Sequence, residues 1–244
     1  IEDNYLESQL ECIKDADAVL CNGIFRGNKR IYSDDKKQRL ACKKDEYYTQ
    51  KSWIVSPGQV LIKREAIPEE WKRYILLENG SDDAFLWMLM IRNQCVFCIN
   101  SNILYYHNEN EQNLSYNFEK MRDSAYEFLE VIKKYNLFPK EFETIEKDQK
   151  LRIKKYDKYI EVLNDWETII FNLITQIKSN NYKVIALYGY GIIGKKLLSN
   201  FETSGIKIDI IIDKDAQNYQ EKDKIFYTLE QVDKMIDMVI VTPL

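Results

Sequence analysis

Apolar residues recur at helical spacing in several parts of the chain and gather into short blocks elsewhere. Residues 5–16, YLESQLECIKDA, place Tyr5, Leu6, Leu10 and Ile13 on one face, which predicts a helix. DAVLCNGIF (17–25) reads as a short buried strand ending at Gly23. Residues 26–50 are charged and lack a sustained period, so a surface loop with room for one strand is expected there. WIVSPGQVLIKREAI (53–67) reads as strand, Pro-Gly turn, strand. DDAFLWMLMIRN (82–93) predicts a helix with Ser81 or Asp82 available as its N-cap. CVFCIN and ILYYH read as two further short strands. Strands alternating with helices predict an α/β fold.

From about residue 116 to 180 the period is helical. Phe118, Met121, Ala125, Phe128, Leu129 and Ile132 share a face, and Pro139 interrupts the run. KEFETIEKDQKLRIKKYDKY is charged and reads as a solvated helix or linker. Leu163, Trp166, Ile170, Leu173, Ile174 and Ile177 then mark an amphipathic helix. At 183 the character changes to strand, glycine turn, helix, strand, and DMVIVTPL closes the chain as a last strand. The expected organisation is a first domain over 1–115, a helical bridge over 116–180, and a βαβ domain over 181–244 whose completeness the pattern leaves open.

Composition narrows the function classes. Hydrophobic residues make up 45% and charged residues 30%, ordinary for a globular protein. A net charge of -4 provides no basic field, which argues against nucleic acid as a partner. No apolar run approaches the roughly 18 residues of a membrane span, no secretory signal is visible, and peripheral membrane association stays open. Cys95 and Cys98 form a lone CxxC in a chain with 5 Cys and 1 His, too few partners for a structural zinc site. Free thiols suit a reducing, cytoplasmic location.

Two motifs carry chemistry. Gly189, Gly191 and Gly194 form G-x-G-x-x-G between a Val/Ile/Leu strand and a helix, and Asp213 follows at about the 20-residue spacing of a dinucleotide site. The first glycine would make the turn, the second would admit phosphate, and the third would let helix and strand approach. Asp213 would accept from a ribose hydroxyl, preferring NAD over NADP. The alternative is that the turn only packs helix on strand. The second motif is ENGSDDAFLW, in which Asp82 and Asp83 precede a run of large apolar residues. From the pair alone, two readings stand: acids that cap a helix and favour its dipole, or a carboxylate held at the rim of a pocket.

Four segments in order give the second motif a context. IEDNYLESQLECIKDADAVLCNG, VSPGQVLIKREAIP, GSDDAFLWMLM and NILYYHNENEQNLS together resemble the C-terminal half of a family 2 glycosyltransferase, covering residues 1 to about 130. The resemblance implies the C-terminal part of a GT-A-like domain. It implies an inverting transfer from a nucleotide-diphosphate sugar to a glycan or polysaccharide-precursor hydroxyl. Asp83 takes the second place of that family's ED motif and would be the general base. Asp82 takes the first place, where the family more often has Glu, and would orient acceptor or base. His107 matches the family's late His and would contact the diphosphate or a divalent metal, Mn²⁺ or Mg²⁺. Ser56 and Gln59 beside the Pro-Gly turn, with Trp53, would line the acceptor site, although packing alone explains Trp53 equally well. The family's donor-binding half and its DxD are absent, so the chain is expected to be a fragment of a longer protein. The last segment resembles the nucleotide-binding half of sugar-nucleotide-modifying proteins from polysaccharide gene clusters, with NAD as the cofactor it implies. A non-catalytic nucleotide- or partner-binding module is the second reading. An NAD-dependent sugar-nucleotide oxidoreductase is the third.

Overall fold

The computed structural model of the chain describes residues 1–26, 31–32, 48, 54–108, 113–219 and 224–242. The chain is α/β and forms two compact units, the first reaching to Lys158 and the second starting at Tyr159.

The first unit is built on a mixed sheet. α1 (Tyr5–Ile13) buries Tyr5, Gln9 and Ile13, four residues apart. β1 (Ala18–Phe25) is the middle strand, antiparallel to β2 (Val60–Ile62) and parallel to β3 (Phe97–His107). Side chains alternate across this sheet as pleating requires. Ala18, Leu20, Val60, Ile62, Phe97 and Ile99 face one core, while Val19, Leu61 and Cys98 face Cys12 and Ile13 of α1. β1 runs on past Gly23 because β3 pairs with it as far as Phe25 opposite His107.

A short helix, α2 (Glu69–Arg73), precedes α3 (Asp82–Arg92). In α3 every residue from Phe85 to Ile91 is buried, on all sides of the helix. A helix apolar all round needs cover on both flanks. The sheet supplies one flank. Phe128 and Ile132 of α4 (Phe118–Lys134) and Ile145 of α5 (Phe142–Asn164) join the same core.

Three expectations change. The two strands expected at CVFCIN and ILYYH are one strand, β3. Its pairing jumps from Asn100 opposite Cys21 to Ile103 opposite Asn22, so exposed Ser101 and Asn102 bulge out and break the alternation. No strand precedes Pro57 over 54–56; Ser56 instead caps a single 3-10 turn, Pro57–Gln59. The stretch 116–180 is also divided between the two cores. Ala125, Phe128 and Ile145 are buried in the first unit, whereas Trp166, Ile170 and Ile177 of α6 (Trp166–Asn180) belong to the second.

The second unit has four parallel strands. β4 (Ile185–Tyr188), β5 (Ile210–Ile212), β6 (Phe226–Tyr227) and β7 (Met238–Val241) stand in the order β6-β5-β4-β7. By position in the chain that order is third, second, first, fourth, as in the nucleotide-binding half of a doubly wound sheet. α7 (Ile192–Thr203) packs Leu197 and Phe201 on β4, together with Trp166 and Ile170 of α6. β6 went unforeseen because two residues are too few to show a period. Among the described residues no helix is long and apolar enough to cross a membrane.

Candidate functional site

The acid pair occupies the first turn of α3. Ser81 stands at the N-cap position without capping through its side chain, and its buried Oγ has no partner among the described residues. Asp83 Oδ1 instead accepts the Ala84 amide at 2.6 Å. Burial pushes the Asp83 carboxyl above the ordinary carboxylate range. The Ala84 bond pulls it back, the Asp82 charge raises it further, and the cation of Arg152 lowers it. Asp82 turns toward a cleft of about 300 Å³ lined by Trp71, Lys72, Tyr74, Leu76 and Phe85. Trp71 Nε1 donates to the Asp82 carbonyl at 3.0 Å and so fixes α2 against the start of α3.

Two participants come from a region that reads as solvated in sequence. Asp148 and Arg152 lie one turn apart on α5. Burial also raises the Asp148 carboxyl, Arg152 opposes that rise, and Asp148 Oδ2 has no hydrogen-bond partner among the described residues. One cation thus faces two desolvated carboxylates, Asp83 and Asp148. Gln149 beside them is 1% exposed. The available signal was Ile145, Gln149 and Ile153 recurring every four residues within the charged run.

His107 ends β3, and its neighbours are different residues from those of the acid pair. Its Nδ1 is 2.8 Å from the Tyr32 hydroxyl and its Nε2 is 3.5 Å from Asn113 Nδ2. The Tyr32 hydroxyl and the Asn113 amide thus flank the two ring nitrogens. Phe25 packs its ring 5.1 Å away. A metal ion at Nε2 would have to displace Asn113. Among the described residues no three His, Cys, Asp or Glu side chains converge as a metal site needs.

Of the residues expected on the acceptor side, Gln59 is turned into the fold. It is 3% exposed, and every heteroatom of its side chain is engaged. Oε1 accepts the amides of Val55 at 2.6 Å and Ser56 at 3.0 Å, and Nε2 donates to the Cys21 carbonyl at 3.0 Å. Ser56 is buried too, donating to the Tyr105 hydroxyl at 3.2 Å and accepting from Gly58 at 3.4 Å. These residues tie the Pro-Gly turn to β1 and β3 and leave little for a sugar. Trp53 lies outside the described residues.

The glycine turn fits half of its expectation. Gly189 has φ +98°, and a Cβ on Gly194 would stand 2.1 Å from the Gly189 carbonyl oxygen, so both positions need glycine for the fold itself. Gly191, the N-cap of α7, has an ordinary extended backbone, and a Cβ there would meet nothing within 4 Å. That open approach suits an anion at the helix start. Asp213 is held by the backbone. It is 9% exposed, its Oδ2 accepts the Tyr190 amide at 2.7 Å, and its Oδ1 accepts the Asp215 amide at 2.9 Å. The carboxylate pins the glycine turn to the end of β5. Tyr190 is itself buried beside Tyr219 and Phe226, with ring centroids 5.3 and 4.9 Å away.

No protein-family model, no curated protein and no solved structure matches the chain.

Proposed function

We propose that the first unit is the acceptor-side half of an inverting, family 2, GT-A-like glycosyltransferase that uses a nucleotide-diphosphate sugar. The observation that carries this reading is Asp83, a desolvated carboxyl at the head of a buried helix, next to an aromatic-lined cleft that Asp82 enters. Attack by an acceptor hydroxyl on an anomeric carbon requires a group that takes the hydroxyl proton as the bond forms. A carboxylate whose pKa is raised toward neutrality is a better proton acceptor, and such catalysis typically contributes about 10²–10⁴-fold. The Ala84 amide and the Arg152 cation both oppose that rise. Trp71 and Tyr74 offer aromatic surface on which a sugar ring can lie, and Lys72 adds a cation at the rim. In open α/β sheets ligands bind beyond the carboxyl ends of parallel strands, which here are marked by Phe25 and His107. In this reading His107, at that end, contacts the departing diphosphate. A glycan or polysaccharide precursor is the acceptor class in this reading, and the second unit is a Rossmann-like module with an anion seat at Gly191.

A second reading, a non-catalytic nucleotide- or partner-binding module, is favoured by one specific observation: Asp83 accepts the Ala84 amide as an ordinary first-turn acid does. Sugar transfer by the full-length protein separates the two. Asp83→Asn is expected to leave donor affinity intact and to cut transfer at least about 10²-fold. Near wild-type turnover in that variant would reject Asp83 as the base.

A further inference from the structure

The CxxC pair does not act as a pair. Cys95 sits on the side of the main core, its Sγ 3.9 Å from the Ala66 carbonyl. Cys98, on β3, faces the opposite side of the sheet, toward α1. There it meets a cysteine from far away in sequence: Cys12 Sγ is 3.7 Å from Cys98 Sγ. Both groups are thiols and both are partly exposed. Each is also aimed at the other element's backbone. Cys98 Sγ donates to the Cys12 carbonyl at 3.2 Å, and Cys12 Sγ donates to the Ile99 carbonyl at 3.5 Å.

We propose that Cys12 and Cys98 form a reversible disulfide that latches α1 onto β3 when the protein meets a peroxide. A disulfide S–S bond is about 2.05 Å, so the sulfurs, 3.7 Å apart, must close by about 1.7 Å. The chemistry balances with hydrogen peroxide as oxidant. One thiolate attacks a peroxide oxygen, the O–O bond breaks, and water leaves behind a sulfenic acid. The second thiolate attacks that sulfur, the S–S bond forms, and a second water departs. The two cysteines lose one electron each, and the peroxide gains both.

The latch has a defined reach. α1 already grips the Pro-Gly turn, with the Tyr5 hydroxyl donating to the Gly58 carbonyl at 2.9 Å and Gln9 Nε2 donating to the Gln59 carbonyl at 3.1 Å. Fixing the end of α1 to β3 therefore fixes the turn as well. The bond closes a loop between residues 86 apart, which restricts the unfolded chain strongly.

The test uses the full chain, treated with hydrogen peroxide, alkylated and digested without reductant. The expected product is a linked peptide pair containing Cys12 and Cys98, lighter than the two thiol peptides by two hydrogens. The oxidised protein should melt several degrees higher, and dithiothreitol should reverse both changes. Cys12→Ser and Cys98→Ser should each abolish them, while Cys95→Ser should keep them. A link to Cys21, Cys42 or Cys95 instead, or sulfinic and sulfonic acids with no link, overturns the proposal. A Cys12–Cys98 link that leaves the melting temperature unchanged overturns the latch.

Discussion

The two units each set a carboxylate against the start of a helix, and they hold it in different ways. Asp213 gives both oxygens to backbone amides, those of Tyr190 and Asp215, and so serves as a fastening of the turn before α7. Asp83 gives one oxygen to the Ala84 amide, and burial then lifts its pKa because desolvation is only partly offset. A carboxylate consumed by the backbone stabilises the fold. A carboxylate desolvated beyond its pairing costs stability, and chemistry is a reason to keep it. The carboxylate with one backbone partner lies in the first unit and the one with both oxygens paired lies in the second, the reverse of what a glycine-rich motif with a well-spaced acid suggests on its own.

The comparison can be broken most sharply at the glycines. Gly194→Ala would drive a Cβ to 2.1 Å from the Gly189 carbonyl oxygen, backbone against backbone. Its expected cost is about 3 kcal/mol or more, read from urea unfolding of the second unit. In the first unit the counterpart of Asp213 is Gln59. Gln59→Ala removes three buried side-chain hydrogen bonds and is expected to cost about 3 kcal/mol, measured in the same way. A small cost would mean that Gln59 is free for substrate after all. The smallest effect belongs to Gly191→Ala, which meets open space and should stay within about 0.5 kcal/mol of wild type. If that variant nonetheless lost binding of inorganic pyrophosphate in titration calorimetry, the anion seat would be sharpened. If neither protein bound it, the turn would serve packing alone.

Much of the architecture was legible because burial imposes a period. α4, α6 and the strand-turn-helix at 185–203 follow from their apolar spacing, whereas α3 is apolar all round and Leu6 and Leu10, expected on the buried face of α1, are exposed while Gln9 is buried. β3 was not legible as one strand, since the bulge at Ser101 and Asn102 shifts the phase halfway along. The bridge was not legible as two parts, because amphipathic helices announce a buried face without naming the core that receives it. The adjacent acids Asp82 and Asp83 stand out in the sequence and take their roles only from the resemblance, whereas the approach of Arg152 and Asp148 is a tertiary fact with no local signature. Spacing found Gly191 and Asp213 but could not tell which way the carboxylate turns. Both of its oxygens accept backbone amides, those of Tyr190 and Asp215.

Removing charge without changing shape separates the two acids most directly. Asn at position 83 can still accept the single Ala84 bond, whereas Asn at position 213 can keep only one of two. The sign for Asp83 follows from its raised pKa. The folded state binds the proton more tightly than the unfolded chain, so stability is fullest below the unfolded value of about 3.9 and falls as pH rises through the folded one. At pH 7 the buried charge therefore costs stability, and Asp83→Asn relieves that cost. The measurement is scanning calorimetry of Asp83→Asn and Asp213→Asn in the full chain at pH 7. A melting temperature that rises for Asp83→Asn and falls for Asp213→Asn, the latter by about 1–3 kcal/mol in stability, is expected. A fall for both variants would make Asp83 another fastening of the fold and contradict its assignment as the reactive acid.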